Sequence, residues 1–199
     1  MTVKINWDYP PPRRGLSGFL DRFIGPGTTG GELWVIVVFT IAAGVILPLC
    51  ASLRDVNWTA TQYVFAIILA LDMAGGIVTN ATSSAKRWYH RPGQGAWSLF
   101  FFVALHIIHI FIVAWLFRSM DWQFMVIMST CLLCMAIVIL RTPLYLQRPV
   151  ALCLFAVSLV IDSYVLTPTY GLEWFIPFLF LKLLISHLLR EEPYMPDRG

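Results

Sequence analysis

Long apolar runs separated by short polar connections are the feature that most constrains this chain. A helix that crosses a bilayer needs about 20 apolar residues, and the 199-residue sequence contains six runs that come close to this length. They cover 33–53, 60–80, 98–117, 121–140, 149–166 and 172–190. Because 58% of the residues are hydrophobic and only 13% are charged, little is left for a soluble domain. The sequence predicts an all-α integral membrane protein, a bundle of six transmembrane helices.

Lysine and arginine are concentrated in alternate connections, and this asymmetry predicts the orientation of the bundle. The connections that we assign to the cytoplasm carry Lys4, Arg13, Arg14, Arg22, Lys86, Arg87, Arg91, Arg141, Arg148, Arg190 and Arg198. The opposite connections carry only Arg54 and Arg118. Both termini are therefore expected in the cytoplasm, and the protein in a cytoplasmic membrane of bacterial type. The net charge of +3 reflects this bias, so it does not favour a nucleic-acid partner.

The segment before the first apolar run has a helical pattern of its own. Apolar residues recur at helical spacing between Leu16 and Ile24, with Asp21 and Arg22 on other faces. This pattern predicts a short helix on the cytoplasmic membrane surface, and docking on the bundle is the alternative. The predicted organisation is a cytoplasmic segment with this helix, a six-helix domain and a cytoplasmic tail, over residues 1–31, 32–190 and 191–199.

A carboxylate lies inside the second apolar run. Asp72, Gly76, Thr79 and Ser83 follow one another at intervals of three or four residues, which places them on one helical stripe. The small residues would let another helix approach closely, with Asp72 hydrogen-bonded across the contact. The alternative is a functional carboxylate, because ionisable groups inside a membrane are costly and usually serve a function.

Other ionisable residues are expected at the same depth as Asp72. His106 and His109 share one face of the third run, and Lys182 lies in the sixth. Counting from the cytoplasmic ends at about 1.5 Å per residue puts all four near the membrane midplane. We predict a buried catalytic cluster of Asp72, His106, His109 and Lys182 that performs acid–base chemistry. Hydrogen bonds between helices would explain the same histidines without catalysis.

Two further groups of polar residues are candidates for binding. The connection after the second run would bind an anionic head group through Lys86, Arg87, His90 and Arg91, with Asn80 at its edge. A positive-inside anchor with an aromatic belt would explain the same connection. On the opposite side of the membrane, Asp162 and Glu173 would form a second polar cluster. Cys131 and Cys134 have the C-x-x-C spacing of redox proteins, but they lie in the middle of a predicted span. Low dielectric disfavours a thiolate there, so we interpret them as buried apolar residues.

The sequence leaves the cofactor open. Asp72, His106 and His109 are residues of the kind that bind a metal, although a pair of histidines three residues apart is a weak signal. A haem would need His187 together with His90 or His106, and we regard it as disfavoured. The chain has no dinucleotide fingerprint and no phosphate-binding loop.

Three classes of function fit these residues. The first is an integral membrane enzyme that acts on a lipid-soluble substrate, such as an isoprenoid or another lipid, by buried Asp/His acid–base chemistry. The second is a structural or assembly subunit of a membrane complex, in which the polar residues join helices. The third is a small proton-coupled transporter. The expected partners are membrane lipids, a lipid-soluble small molecule and another membrane protein.

Overall fold

Helices dominate the computed structural model, which describes residues 3–54 and 56–196. In chain order the helices are α1 (Gly15–Ile24), α2 (Gly30–Leu53), α3 (Ala60–Ala81), α4 (Ser83–Tyr89), α5 (Ala96–Leu105), α6 (Ile107–Phe117), α7 (Trp122–Arg141), α8 (Leu144–Tyr164), α9 (Phe175–Phe180) and a π-helical segment, Leu181–His187. Counting α5 and α6 as one, five helices are long and apolar enough to cross a membrane, and Phe175–His187 forms a shorter apolar helix. The all-helical, multi-pass architecture agrees with the prediction from the apolar runs.

Side-chain caps fix where the long helices begin. Thr29 and Glu32 form a capping box at the start of α2, and Thr59 and Gln62 form another at the start of α3. The second carboxylate oxygen of Glu32 accepts a hydrogen bond from the backbone N–H of Ser84, 3.0 Å away. One acidic residue therefore caps α2 and also holds α4 against it.

Helix α3 runs through the centre of the bundle. It packs along α2 on one side and against α9 and the π-helical segment on another. The α2 contact is close because Gly75 faces Thr40 and Gly44 faces Leu71, with no space for a Cβ atom at either glycine. Small residues at helix contacts let backbones approach closely in a membrane. The predicted stripe ends sooner than expected, because α3 stops at Ala81 and Ser83 begins α4.

Two of the apolar helices depart from α geometry. The run expected as one helix over 98–117 is interrupted at His106, where the N–H groups of His106 and His109 bond to carbonyls three residues earlier. The last helix widens into a π-helix, in which the N–H of Leu188 bonds to the carbonyl of Leu183. Local 3₁₀ and π geometry is frequent at functional sites and hinges. Apolar periodicity does not report such breaks.

A two-stranded antiparallel sheet joins the two ends of the described chain. Strand β1 (Val3–Ile5) pairs with β2 (Tyr194–Pro196), with Ile5 opposite Tyr194. Tyr194 also donates its N–H to the hydroxyl of Ser83 at the start of α4. The sequence predicted no strand here. The pairing places β1 and β2 at the same end of the bundle.

The predicted N-terminal helix forms as α1 and presents its apolar side outward. Leu16, Phe19 and Phe23 are all more than half exposed. Its other side contacts α4, where Trp88 and Tyr89 donate hydrogen bonds to the last carbonyls of α1. Helix α1 is therefore tied to the bundle at one end while its apolar side has no protein cover in the described structure.

Candidate functional site

Asp72 is the centre of a group of ionisable side chains contributed by three helices. Its Oδ2 atom lies 2.7 Å from Nζ of Lys182 and 3.2 Å from Nε2 of His109. Lys182 is only 3% exposed, and its stem packs directly against Gly76, one turn along α3. A side chain at Gly76 would displace the lysine, so this glycine makes the close contact possible.

His109 has hydrogen-bond acceptors on both sides of its ring. Nδ1 lies 3.3 Å from the carbonyl oxygen of His106, and Nε2 faces the carboxylate of Asp72. An imidazole nitrogen can donate or accept a hydrogen bond according to its protonation. Nε2 of His109 is therefore within hydrogen-bond distance of a carboxylate with which it could exchange a proton.

His106 lies against His109 and belongs to the same group. The two rings stack with centroids 5.0 Å apart. Nδ1 of His106 is bonded to the carbonyl of Phe102 at 2.7 Å, which leaves Nε2 without a backbone partner among the described residues. His106 lies at the break between α5 and α6.

The group is partly exposed at the surface of the bundle. The side chains of Asp72 and His109 are 35% and 20% exposed, whereas that of Lys182 is 3% exposed. Both polar contacts of the carboxylate use Oδ2, so Oδ1 receives no hydrogen bond from the described residues. The arrangement leaves a carboxylate oxygen and an imidazole partly exposed next to each other.

A metal ion at this group would compete with the ammonium of Lys182 for the carboxylate of Asp72. One ligand atom from each of Asp72, His106 and His109 lies within 4.8 Å of the others, and two histidines with one carboxylate are a known metal-binding set. The ammonium of Lys182 already neutralises the carboxylate at hydrogen-bond distance. A metal ion would have to displace that ammonium. Metal binding therefore stays a hypothesis.

The chain matches no model of a known protein family, no curated protein and no solved structure.

His187, expected from the sequence as a further ligand of a metal or a haem, lies next to this site on the π-helical segment. Its ring stacks on Phe102 at 4.0 Å, and Phe102 also contacts His106 at 4.7 Å. Both ring nitrogens of His187 are buried without a partner among the described residues. His90 bonds to the carbonyl of His187 at 3.1 Å. Because Phe102 packs against the rings of both His106 and His187, these two imidazoles do not frame an open haem site.

The residues predicted to bind a head group separate into different environments. Lys86 is 2% exposed and donates to the carbonyls of Ser186 and Leu189 at 2.7 and 2.6 Å. It therefore ties α4 to the end of the last helix. Burial lowers the pKa of Lys86 to about 8, although Glu191 opposes this shift. Arg91 lines an open cavity.

Two more of these residues are buried with free donors. Arg87 is 1% exposed, and its Nε and Nη1 atoms have no hydrogen-bond partner in the described structure. Burial lowers its pKa, while the nearby charge of Glu32 acts in the opposite direction. The amide nitrogen of Asn80 is likewise buried and without an acceptor among the described residues. Arg87 lies on α4 and Asn80 near the end of α3, so neither side chain is on a loop. Head-group binding by these residues stays a prediction.

The second predicted polar pair shares one cavity. Asp162 and Glu173 both line a space of about 340 Å³ at the other end of the bundle. Glu173 also pairs with Arg54, with 3.3 Å between the charged atoms. Within the described residues, no member of the Asp72 group lines this cavity. The two polar clusters are therefore separate sites.

Proposed function

We propose that this protein is an integral membrane enzyme that acts on a lipid-soluble substrate by acid–base chemistry at Asp72 and His109. The observation that carries the proposal is the contact of the Asp72 carboxylate with both a buried ammonium and an imidazole in the middle of transmembrane helices. Such groups are costly in hydrocarbon and usually serve a function. The partial exposure of Asp72 and His109 suits a substrate dissolved in the membrane.

The geometry fits a proton-neutral isomerisation best, such as the shift of a double bond in an isoprenoid. The His109 imidazolium would donate a proton to one carbon, and the Asp72 carboxylate would remove a proton from another. Transfer of that proton from Asp72 to His109 across their 3.2 Å contact would then restore both groups. Lys182 would keep the carboxylate ionised between turnovers. Positioned proton transfer of this kind contributes about 10²–10⁴ in rate.

An isotope experiment tests the reaction class even while the substrate is unidentified. Membranes that contain the wild-type protein or Asp72→Asn would be incubated in D₂O, and their lipid-soluble molecules compared by mass spectrometry. An isomerisation through solvent-exchangeable groups should add deuterium to carbon in a wild-type-dependent product. The same lipid profile in both membranes would count against the enzyme and favour a structural role for the Asp72–Lys182 pair.

We further propose six membrane crossings with the cytoplasmic orientation predicted from the charges. The pairing of β1 with β2 supports an even number of crossings, because strands on opposite sides of a membrane could not bond. The five long helices then require Phe175–His187 to be the sixth crossing. We also propose that α1 lies on the membrane surface, where its uncovered apolar side would contact lipid. A bacterial cytoplasmic membrane remains the proposed location.

A structural or assembly role is the main alternative, and one contact favours it. The stem of Lys182 packs directly against Gly76 of α3. The Asp72–Lys182 ion pair at the same place would therefore hold α3 and the last helix together even without a catalytic role. A proton-coupled transporter is a weaker alternative, because the second polar cluster has its own cavity.

A further inference from the structure

An open cavity of about 510 Å³ lies beside the basic connection and the chain that follows the last helix. One part of its wall is polar or aromatic and includes Trp7, His90, Arg91, Gln147 and Arg190. Another part is formed by leucines from α5, α7, α8 and the end of the last helix. The cavity is therefore amphipathic.

The charges on the wall are all of one sign. Arg91 and Arg190 line the cavity, and its lining includes no aspartate or glutamate among the described residues. Neither arginine forms an ion pair with a described carboxylate. Glu191, next to Arg190 in sequence, is instead engaged by Arg148 and Lys86. The two guanidinium groups therefore leave an uncompensated positive charge in the cavity.

Aromatic side chains hold both arginines in place. The guanidinium of Arg91 lies 3.8 Å from the ring centre of Trp88 and donates through Nη1 to the carbonyl of the same residue. The guanidinium of Arg190 lies 4.7 Å from the ring centre of Trp7. Stacking of this kind restrains a guanidinium without using its N–H donors. Most donors of the two groups remain free for an anion.

His90 and Gln147 also line the cavity, and neither opposes the charge of the arginines. His90 is held near neutrality because burial, followed by the charge of Lys86, lowers its pKa to about 4. The fixed charge on the wall is thus that of the two arginines. Gln147 has a buried Oε1 without a donor among the described residues, and a hydroxyl could supply one.

We propose that this cavity binds the phosphate-bearing head group of an anionic amphiphile, with the phosphate between Arg91 and Arg190 and the apolar chain along the leucines. Arginine suits phosphate because its forked donors can bind two oxygens at once. The site differs from the one expected from the sequence, because Lys86 and Arg87 are buried elsewhere and Arg190 and Gln147 were not among the predicted residues. It does not rest on acid–base chemistry at Asp72.

Native mass spectrometry of the detergent-purified full chain tests this site with defined probes. The probes are dioleoyl phosphatidic acid, dioleoyl phosphatidylcholine and inorganic diphosphate. We expect one phosphatidic acid to bind at least about tenfold more tightly than phosphatidylcholine. Its terminal phosphate offers the arginines more free oxygens and a net negative charge, whereas the choline ammonium offsets the phosphate charge of phosphatidylcholine. Inorganic diphosphate should compete only weakly, because it lacks the apolar chain. Strong competition by diphosphate would instead assign the site to a free phosphate compound and overturn the lipid part of the proposal.

Matched variants locate the binding. The double variant Arg91→Gln/Arg190→Gln should weaken phosphatidic acid binding at least about tenfold. The control Arg14→Gln/Arg141→Gln removes the same charge from exposed positions that do not line the cavity, and it should bind normally. Arg91→Lys/Arg190→Lys keeps the charge but loses the forked donors, so its affinity for phosphatidic acid should lie between those of the first variant and the wild type. Unchanged binding in the first variant, or equal losses in the first variant and the control, would overturn the proposal. Circular dichroism would verify that each variant is folded.

Discussion

Oδ2 of Asp72 lies 2.7 Å from Nζ of Lys182 across the contact between α3 and the π-helical segment. The pair connects two helices that are far apart in sequence. It also sets opposite charges side by side inside the membrane, where either charge alone would be costly. A substitution at Asp72 therefore changes two properties, the proton chemistry and the neutralisation of a buried lysine.

The first prediction separates these two properties. Asp72→Asn should lose turnover by about 10²–10⁴ and should also be destabilised, because Lys182 stays buried without its counter-charge. Breaking a buried pair from one side costs about 3–5 kcal/mol, and we expect the lower end because Asp72 is 35% exposed. Thermal unfolding in detergent measures the loss.

The matched variant for this prediction is Asp72→Asn/Lys182→Met. It removes both charges, so it should recover most of the lost stability while remaining inactive in the D₂O assay. A double variant that is stable and still incorporates deuterium would exclude Asp72 as the proton-transfer group. A double variant no more stable than Asp72→Asn would show that the ion pair does not hold the helices together.

The second prediction concerns the close approach at Gly76. A Cβ atom there would overlap the stem of Lys182, so Gly76→Ala should force the lysine away from Asp72. We expect a loss of about 1–3 kcal/mol, typical of overpacking. Gly31→Ala is the control, because no atom lies within 4 Å of the position of its Cβ. Equal unfolding temperatures for the two variants would show that the helices are not in close contact at Gly76.

The third prediction is a pH dependence from Lys86. Its pKa is lowered from 10.5 to about 8 in the folded protein, so between these pH values the unfolded chain binds more protons. Stability should therefore rise with pH in this window, by on the order of 2 kcal/mol between pH 8 and 10. Above pH 10 the raised pKa of Tyr89, about 12, acts in the opposite direction.

Lys86→Met isolates this contribution. The variant should be less stable overall, because the carbonyls of Ser186 and Leu189 lose their donor. The informative quantity is the slope of stability against pH from 8 to 10, which should be smaller in the variant. The same slope in both proteins would assign the pH dependence to other groups.

The fourth prediction is the topology. In a variant that lacks all four cysteines, single cysteines at the exposed positions Gly93 and Tyr145 should react with an impermeant maleimide only from the cytoplasm. A cysteine at Tyr170 should react only from the other side. Labelling of Gly93→Cys and Tyr145→Cys from opposite sides would rule out the proposed orientation.

The multi-pass helical architecture could be predicted from the sequence alone. A helix that crosses a membrane must be long and apolar, and its backbone groups must form hydrogen bonds within the helix. The sequence also predicted that Asp72, His106, His109 and Lys182 lie close together, because the depth of a residue in the bilayer can be counted along each helix. Their catalytic role remains a prediction.

Only the tertiary structure showed which polar side chains already have partners within the protein and which remain available to a ligand. The carbonyls at the end of the last helix engage Lys86, and aromatic rings hold Arg91 and Arg190 beside a cavity that Trp7 helps to form. The breaks in helix geometry near His106 and Lys182 and the pairing of β1 with β2 also appear only in the fold. Local apolar periodicity reports which face of a helix is apolar, but a hydrogen bond or stacking contact between residues about a hundred positions apart depends on how the helices pack.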